Sequence, residues 1–356
     1  MGPVRVAVVG YGLAGRTFHA PFIAATDGTE LAAVVTSDPE RRRQALVDHP
    51  HAVVLDTTAV LWEASPRIGI ELVVVATPNR AHVAVAMEAL AAGLAVVVDK
   101  PLAVSAEGGR RVVDEAARRG LFLSVFHNRR WDGDFLTLRR LVETGALGDV
   151  WRLESRYERW RPERRTDAWR ERADAADGGG LLDDLGSHLI DQAVVLFGPP
   201  VSVSAELGRR RPGAEVDDDT FLALEHAGGV TSHLWASSVA SRPGPRFRAL
   251  GSRAGYVVWG MDPQEDALRA GQAPGGDGWG ASPPDQRGTV GVGEDVAAVP
   301  TEPGNYGRFY EGVVASLRDG APPPVEPADA LVTLEVIDAA RAADRGRGAT
   351  VAGTSL

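Results

Sequence analysis

Lys100, in the stretch VVVDKP, is the only lysine among 38 basic residues in a chain of 356; the other 37 are arginine. In a chain so rich in Ala, Gly, Pro and Arg, the pattern of a GC-rich coding bias, a surviving lysine marks a place that guanidinium does not serve. An ammonium is a compact point charge whose pKa responds to desolvation, so it can orient a hydroxyl or exchange a proton; guanidinium stays charged and presents a planar fork. A second constellation lies in GGGLLDDLGSHLIDQ, where Asp184 and His188 are four residues apart and share one face of a helix. Asp183 competes with Asp184, but on a helix it points about 100° away and falls in register with Ser187. A carboxylate beside an imidazole suits general acid–base work, and a lysine nearby would stabilise a developing alkoxide.

A third candidate is GYGLAG, whose Gly10, Tyr11, Gly12, Leu13 and Gly15 follow the apolar run VRVAVV at the mouth of a helix. Gly10 allows a tight turn, Gly12 lets backbone approach a pyrophosphate, Gly15 lets helix and strand pack closely, and the helix N-terminus faces the phosphate charge. In this context the pattern predicts dinucleotide binding. An NAD-preferring site carries an acid about 20 residues on, at the end of the second strand. Here VVTSDPERRR offers Thr36 and Ser37 at that place, while Asp38 before Pro39 reads as a helix N-cap. Hydroxyls with Arg41 or Arg42 one turn on suit a 2'-phosphate, so NADP is favoured, with NAD as the alternative.

These residues need a scaffold. Up to about residue 126, the runs VRVAVV, ELAAVV, AVVL, LVVVAT, AVVVDK and LFLSVF alternate with helical stretches such as Ala81 to Ala92 and Ala106 to Arg119. Continuous apolar strands separated by helices predict a doubly wound parallel sheet covered on both faces, an α/β Rossmann domain over residues 1–126. Ligands bind beyond the carboxyl ends of such strands, where the fourth and fifth deliver Thr77, Pro78, Asn79, Asp99 and Lys100. Residues 127–356 read as an α+β domain with a large, mainly antiparallel open sheet: helices 135–143 and 185–197, strand 150–157, then VSVSAEL, TFLALEH, GVTSHLWASSVA and FRALGSRAGYVVWG spaced as a meander. Residues 260–304, crowded with Gly, Pro and Asp, read as one irregular loop before two closing helices, 306–319 and 328–344. The Arg-rich run 152–172 has nearly balancing acids and reads as a salt-linked surface.

A net charge of -10 argues against general affinity for nucleic acid or anionic membrane. The absence of cysteine excludes disulfides, thiolate nucleophiles and cysteine metal sites. No segment reaches the ~18 apolar residues of a membrane span, no leader precedes the first strand, and no zinc-type spacing occurs. The expectation is a cytoplasmic protein without a metal, whose partner is a small molecule.

Taken together, GYGLAG, ATPNRAH after the fourth strand, DKP after the fifth and GGGLLDDLGSHLID resemble the glucose-fructose oxidoreductase and inositol dehydrogenase family, Gfo/Idh/MocA, over essentially the whole chain. FHNRRWDGDF and ERWRPERRTDAWRE are most similar to the branch containing NADP-dependent scyllo-inositol dehydrogenases. Asp99 stands where the family usually has Glu. The resemblance implies that Lys100 contacts both the nicotinamide ribose and the reacting substrate oxygen, and that His82 lies near the cofactor. It further implies that Trp169 and Arg170 pack over the cofactor, and that Asn128 joins Lys100, Asp184 and His188 in holding substrate. His19 and His127 read as supporting histidines. The expected reaction is hydride exchange between nicotinamide and a secondary alcohol of a cyclic polyol or sugar, with His188 as base and Asp184 orienting it. A non-catalytic dinucleotide sensor and a redox-assisted glycosidase are the alternatives. Because few helices can cover the second sheet, its other face, around Trp235 in residues 201–260, is expected to build a homodimer or homotetramer.

Overall fold

The computed structural model describes residues 2–164, 171 and 177–346. Trp169 and Arg170 lie outside the described residues. Six strands, β1 (Val4–Val9), β2 (Thr29–Val35), β3 (Val53–Leu55), β4 (Leu72–Val75), β5 (Ala95–Asp99) and β6 (Leu123–Phe126), form a parallel sheet in the order β3-β2-β1-β4-β5-β6. The connecting helices are α1 (Ala20–Ala25), α2 (Pro39–Asp48), α3 (Thr58–Ile68), α4 (His82–Ala91) and α5 (Ala106–Arg119). Every residue of β4 is buried because helices lie on both faces, and each valine so buried contributes about 1.5–3 kcal/mol of transfer free energy. The strand order reverses between β1 and β4, which opens a crevice at their carboxyl ends. Gly10 sits there at φ 101°, and a Cβ on it would run into the Ala76 carbonyl after β4. A Cβ on Gly15 would strike the Gly10 carbonyl oxygen, so Gly15→Ala would force β1 and the following helical turn apart.

The second half comprises α6 (Gly133–Glu143), β7 (Val150–Glu158), α7 (Ser187–Phe197), β8 (Pro200–Gly208), β9 (Asp219–His226), β10 (Thr231–Ser237), β11 (Phe247–Gly251) and β12 (Gly255–Val258). It continues with α8 (Gln264–Arg269), β13 (Gly288–Val292), β14 (Asp295–Val299), α9 (Gly307–Asp319) and α10 (Pro327–Arg345). Its sheet runs β14-β13-β12-β11-β7-β10-β9-β8. Two expectations are corrected here. The sheet is not a simple meander, because β7, which precedes the other strands in the chain, lies between β11 and β10, parallel to β10. Nor is 260–304 one irregular loop: it contains α8 and the hairpin β13–β14, whose two strands are joined through Gly293 at φ 60°. The glycines that suggested a loop supply this hairpin's turn and an extended kink at Gly291.

One face of this sheet packs Leu153, Leu222, Leu234 and Phe247 against Leu138, Leu189 and Ile337 of α6, α7 and α10. The opposite face carries Phe221, His233 and Trp235, with the Arg156 guanidinium 4.0 Å over the Trp235 ring. Near the end of the chain, Tyr306, Phe309, Tyr310 and Leu334 return to the core of the parallel sheet, so α9 and α10 fasten the two halves together. Among the described residues no helix is long and apolar enough to cross a membrane.

Candidate active site

Lys100 emerges directly after β5, and its peptide bond to Pro101 is cis. Its side chain is 13% exposed, and Nζ donates to Asp184 Oδ1 at 2.9 Å and to the Asp184 carbonyl at 2.6 Å. The segment expected to be continuous α-helix divides at this point. Leu182–Gly186 forms a π-helical turn and α7 begins at Ser187, so the one-turn register assumed for Asp184 and His188 is lost. The Asp184 carboxylate turns to Lys100, and no hydrogen bond joins it to His188 among the described residues. The expectation that Asp184 orients the imidazole is therefore corrected: it orients the ammonium.

His188 is 5% exposed, and its Nδ1 has no hydrogen-bond partner among the described residues. Its ring stands edge-on to His127 at 6.3 Å and to Tyr157 at 6.4 Å. Burial, and then the Lys100 charge, hold its pKa well below the usual imidazole range, so the ring is neutral. Asp183 is buried and ion-paired with Arg341 of α10; burial pushes its carboxyl up to about 6. Ser187 Oγ does pair with Asp183, but at the carbonyl oxygen, 2.7 Å.

The cofactor-side candidates gather at the crevice. Asp38 accepts from the N–H groups of Glu40 at 2.9 Å and Arg41 at 3.0 Å, capping α2 ahead of Arg41. From there the Arg41 Nη1 reaches over the glycine turn, 3.6 Å from where a Cβ of Gly12 would stand. Arg42 turns away to Asp56. Thr36 is buried at the end of β2 with Ser37 exposed beside it, while Tyr11 is buried under the turn, donating to Asp48 at 2.9 Å, and Leu13 is exposed. After β4, Thr77 Oγ1 is buried without a partner among the described residues, Pro78 precedes a short 3-10 turn, and Asn79 Nδ2 reaches the Gly178 carbonyl at 3.5 Å. His82 is a tie between strand ends: its ring nitrogens meet the Pro101 carbonyl at 2.8 Å and the Thr77 carbonyl at 2.9 Å. Asp99 accepts from the Lys100 N–H at 2.9 Å and lies 3.8 Å from Nε2 of His19, whose Nδ1 meets the Tyr310 hydroxyl at 2.6 Å. Open backbone at Gly12, a guanidinium beside it and a Thr77 hydroxyl without a partner among the described residues fit a dinucleotide laid across the β1/β4 switch point. Among the described residues no group of three or more His, Asp or Glu side chains is placed to hold a metal.

Behind His188 lies a buried polar network that residue types alone did not reveal. Arg130 grips Asp191 through two bonds, 2.9 and 2.7 Å, and reaches Asp329 at 3.0 Å. Arg246 donates to Ser155 Oγ (2.6 Å), the Tyr157 hydroxyl (2.7 Å) and Gln192 Oε1 (2.7 Å). Arg129 pairs with Asp132 and Glu265, and Asn128 is buried one position before it. The partners are 61 to 199 residues away for Arg130. In an arginine-rich chain, nothing local distinguishes such a residue from a surface one; the only sequence signal was that HNRRW follows β6 at the same carboxyl edge. The run 152–172, expected to be solvated surface, likewise has a buried side: Ser155 and Tyr157 face this network, and Glu154 pairs with Arg156 and Arg248 on the other face. Strand alternation divides the part of the run within β7 between the two faces.

With that geometry in view, the comparisons with known proteins agree on one family. Residues 4–127 match the oxidoreductase family with an NAD-binding Rossmann fold, and residues 135–257 match the GFO/IDH/MocA C-terminal domain. The scyllo-inositol 2-dehydrogenase (NADP(+)) IolW of Bacillus subtilis is 36% identical over 95% of this chain and 92% of its own length. The oxidoreductase YdgJ of Escherichia coli is 39% identical over 94% of each chain. The structure of the oxidoreductase yvaA from Bacillus subtilis superposes with a TM-score of 0.89 at 35% identity, covering 97% of this chain and 98% of that one. A Rossmann sheet carrying the glycine turn and Lys100, joined to an open sheet whose leading helix carries His188, thus places this chain in the Gfo/Idh/MocA family of NAD(P)-dependent oxidoreductases.

Proposed function

We propose that this oxidoreductase acts on a secondary alcohol or the corresponding ketone of a cyclic polyol or sugar, using NADP in preference to NAD. The observation that carries this reading is that Lys100, held by Asp184, lies near enough to the buried His188 for its charge to act on the imidazole, at the sheet edge where the glycine turn lies. The relative IolW, named for scyllo-inositol and NADP, supports both the substrate class and the cofactor choice. The glycine turn, Arg41, Ser37, Thr77, Pro78, Asn79 and Asp99 would hold the dinucleotide, which when bound supplies or accepts the hydride. Lys100 would hold the reacting oxygen and stabilise negative charge on it, at no reorganisation cost because Asp184 has already fixed the ammonium. His188, unprotonated, would take the hydroxyl proton in the oxidative direction. Asn128 would help hold the ring.

Three outcomes follow. Arg41→Gln should weaken NADP by about 10- to 100-fold, the worth of a charge-assisted bond, and leave NAD unchanged; equal weakening of both would remove the 2'-phosphate role. The second concerns pH. A base whose pKa is depressed stays unprotonated at lower pH, so oxidative kcat/KM should remain level as pH falls from about 7.5 to about 6, past the ordinary imidazole pKa. An acid limb centred near 6.5 contradicts this. The third concerns assembly, for which we propose a homodimer or homotetramer formed through the sheet face bearing Phe221 and Trp235. Trp235→Glu should dissociate it while turnover per chain is retained. Sedimentation of the unmodified protein at the 37.6 kDa of one chain, independent of concentration, would refute it.

A further inference from the structure

Ser155 and Tyr157 point from β7 toward the site, and the next residue of that alternating set is Arg159. Its backbone continues the strand: the N–H donates to the Ser237 carbonyl at 2.9 Å and the carbonyl accepts from Ala240 at 3.1 Å. A two-residue step along a strand sets it about 6–7 Å beyond Tyr157. There the half-buried guanidinium senses the Asp184 and Glu265 carboxylates, and the Arg129 and Arg161 cations, as charged neighbours. Yet it makes no hydrogen bond or ion pair among the described residues, whereas the buried Arg129, Arg130, Arg211 and Arg246 all have carboxylate partners. Both neighbouring carboxylates are engaged elsewhere, Asp184 with Lys100 and Glu265 with Arg129 and Arg269. The permanent charges that act most strongly on His188, those of Lys100, Arg129 and Arg246, are likewise all positive. The site therefore has a cation facing it that no carboxylate pairs directly among the described residues, and burial makes that costly.

We propose that Arg159 receives an oxyanion substituent of the substrate, a carboxylate or a phosphate ester, so that the preferred substrate is an acidic sugar or polyol and not a neutral one. The inference rests on the oxidoreductase reading of the site and narrows its substrate class. A guanidinium fork matches either oxyanion through two parallel bonds, and such a pair is worth on the order of 10- to 100-fold in affinity.

The test uses the full chain saturated with NADP. Its probes are the neutral hexose, the hexuronate and the hexose 6-phosphate in the gluco, galacto and manno series, read both by calorimetric binding and by cofactor absorbance. At least one series should show the uronate or the phosphate favoured by about tenfold or more over its neutral partner; which of the two is favoured identifies the anion. Arg159→Gln should bring that ratio to within about twofold, and Arg159→Lys should restore part of it. Absence of an acidic preference in every series, or a preference that survives Arg159→Gln, overturns the proposal. An Arg159-dependent margin in binding without any absorbance change would leave this inference standing and overturn the redox reading. Turnover of neutral sugars without a margin would do the converse.

Discussion

Lys100→Arg should give a folded, cofactor-binding protein whose turnover is lower by on the order of 100-fold or more. The substitution keeps the positive charge, so a site needing only a positive field would lose little. The ammonium, however, sits with its Nζ 2.9 Å from Asp184 Oδ1 and 2.6 Å from the Asp184 carbonyl, in a place that is 13% exposed. A planar guanidinium cannot direct three rotatable donors to that carbonyl, that carboxylate and a substrate oxygen at once. Steady-state kinetics beside a cofactor titration check this. Unchanged cofactor affinity with collapsed kcat supports the assignment, and near-normal turnover removes Lys100 from the chemistry.

His188→Gln should cost about 10²- to 10⁴-fold in turnover, the range of a positioned general base. Glutamine retains polarity and much of the volume but cannot take up a proton. Because Nδ1 of His188 has no hydrogen-bond partner among the described residues, the replacement breaks no bond there, and stability should change little. A melting temperature within a few degrees of the parent, with turnover nearly abolished, is the expected pair of results. A large loss of stability together with modestly reduced turnover would instead make His188 a packing residue beside Tyr157 and His127.

The Rossmann half was legible because strands buried on both faces are written as unbroken apolar runs, and TPN and DKP stand at the carboxyl ends of β4 and β5, the edge where ligands bind. The position of Lys100 followed from the same pattern. What periodicity could not convey was the π-helical turn at Leu182–Gly186, since one residue inserted into a helix rotates every later side chain and hands Asp184 from His188 to Lys100. The parallel insertion of β7 was hidden for a related reason: alternation tells which residues share a face, not which strand lies alongside. Arg130 and Arg246 escaped notice because their burial is decided by Asp191, Gln192 and Ser155, brought in from distant segments. Hairpin β13–β14 was masked by its own glycines.

The central claim is that this chain carries out nicotinamide redox chemistry on a carbon-bound hydroxyl through Lys100 and His188. The most direct measurement is the absorbance of reduced cofactor when the protein and NADP meet a panel of cyclic polyols and sugars, neutral and acidic. The variants Lys100→Arg and His188→Gln are run in parallel. The account predicts that reduced cofactor accumulates with some members of the panel in the parent protein and falls by about 100-fold or more in both variants, with NADP still bound. Tight binding of NADP with no redox change across the panel, or turnover that both variants retain, would contradict it.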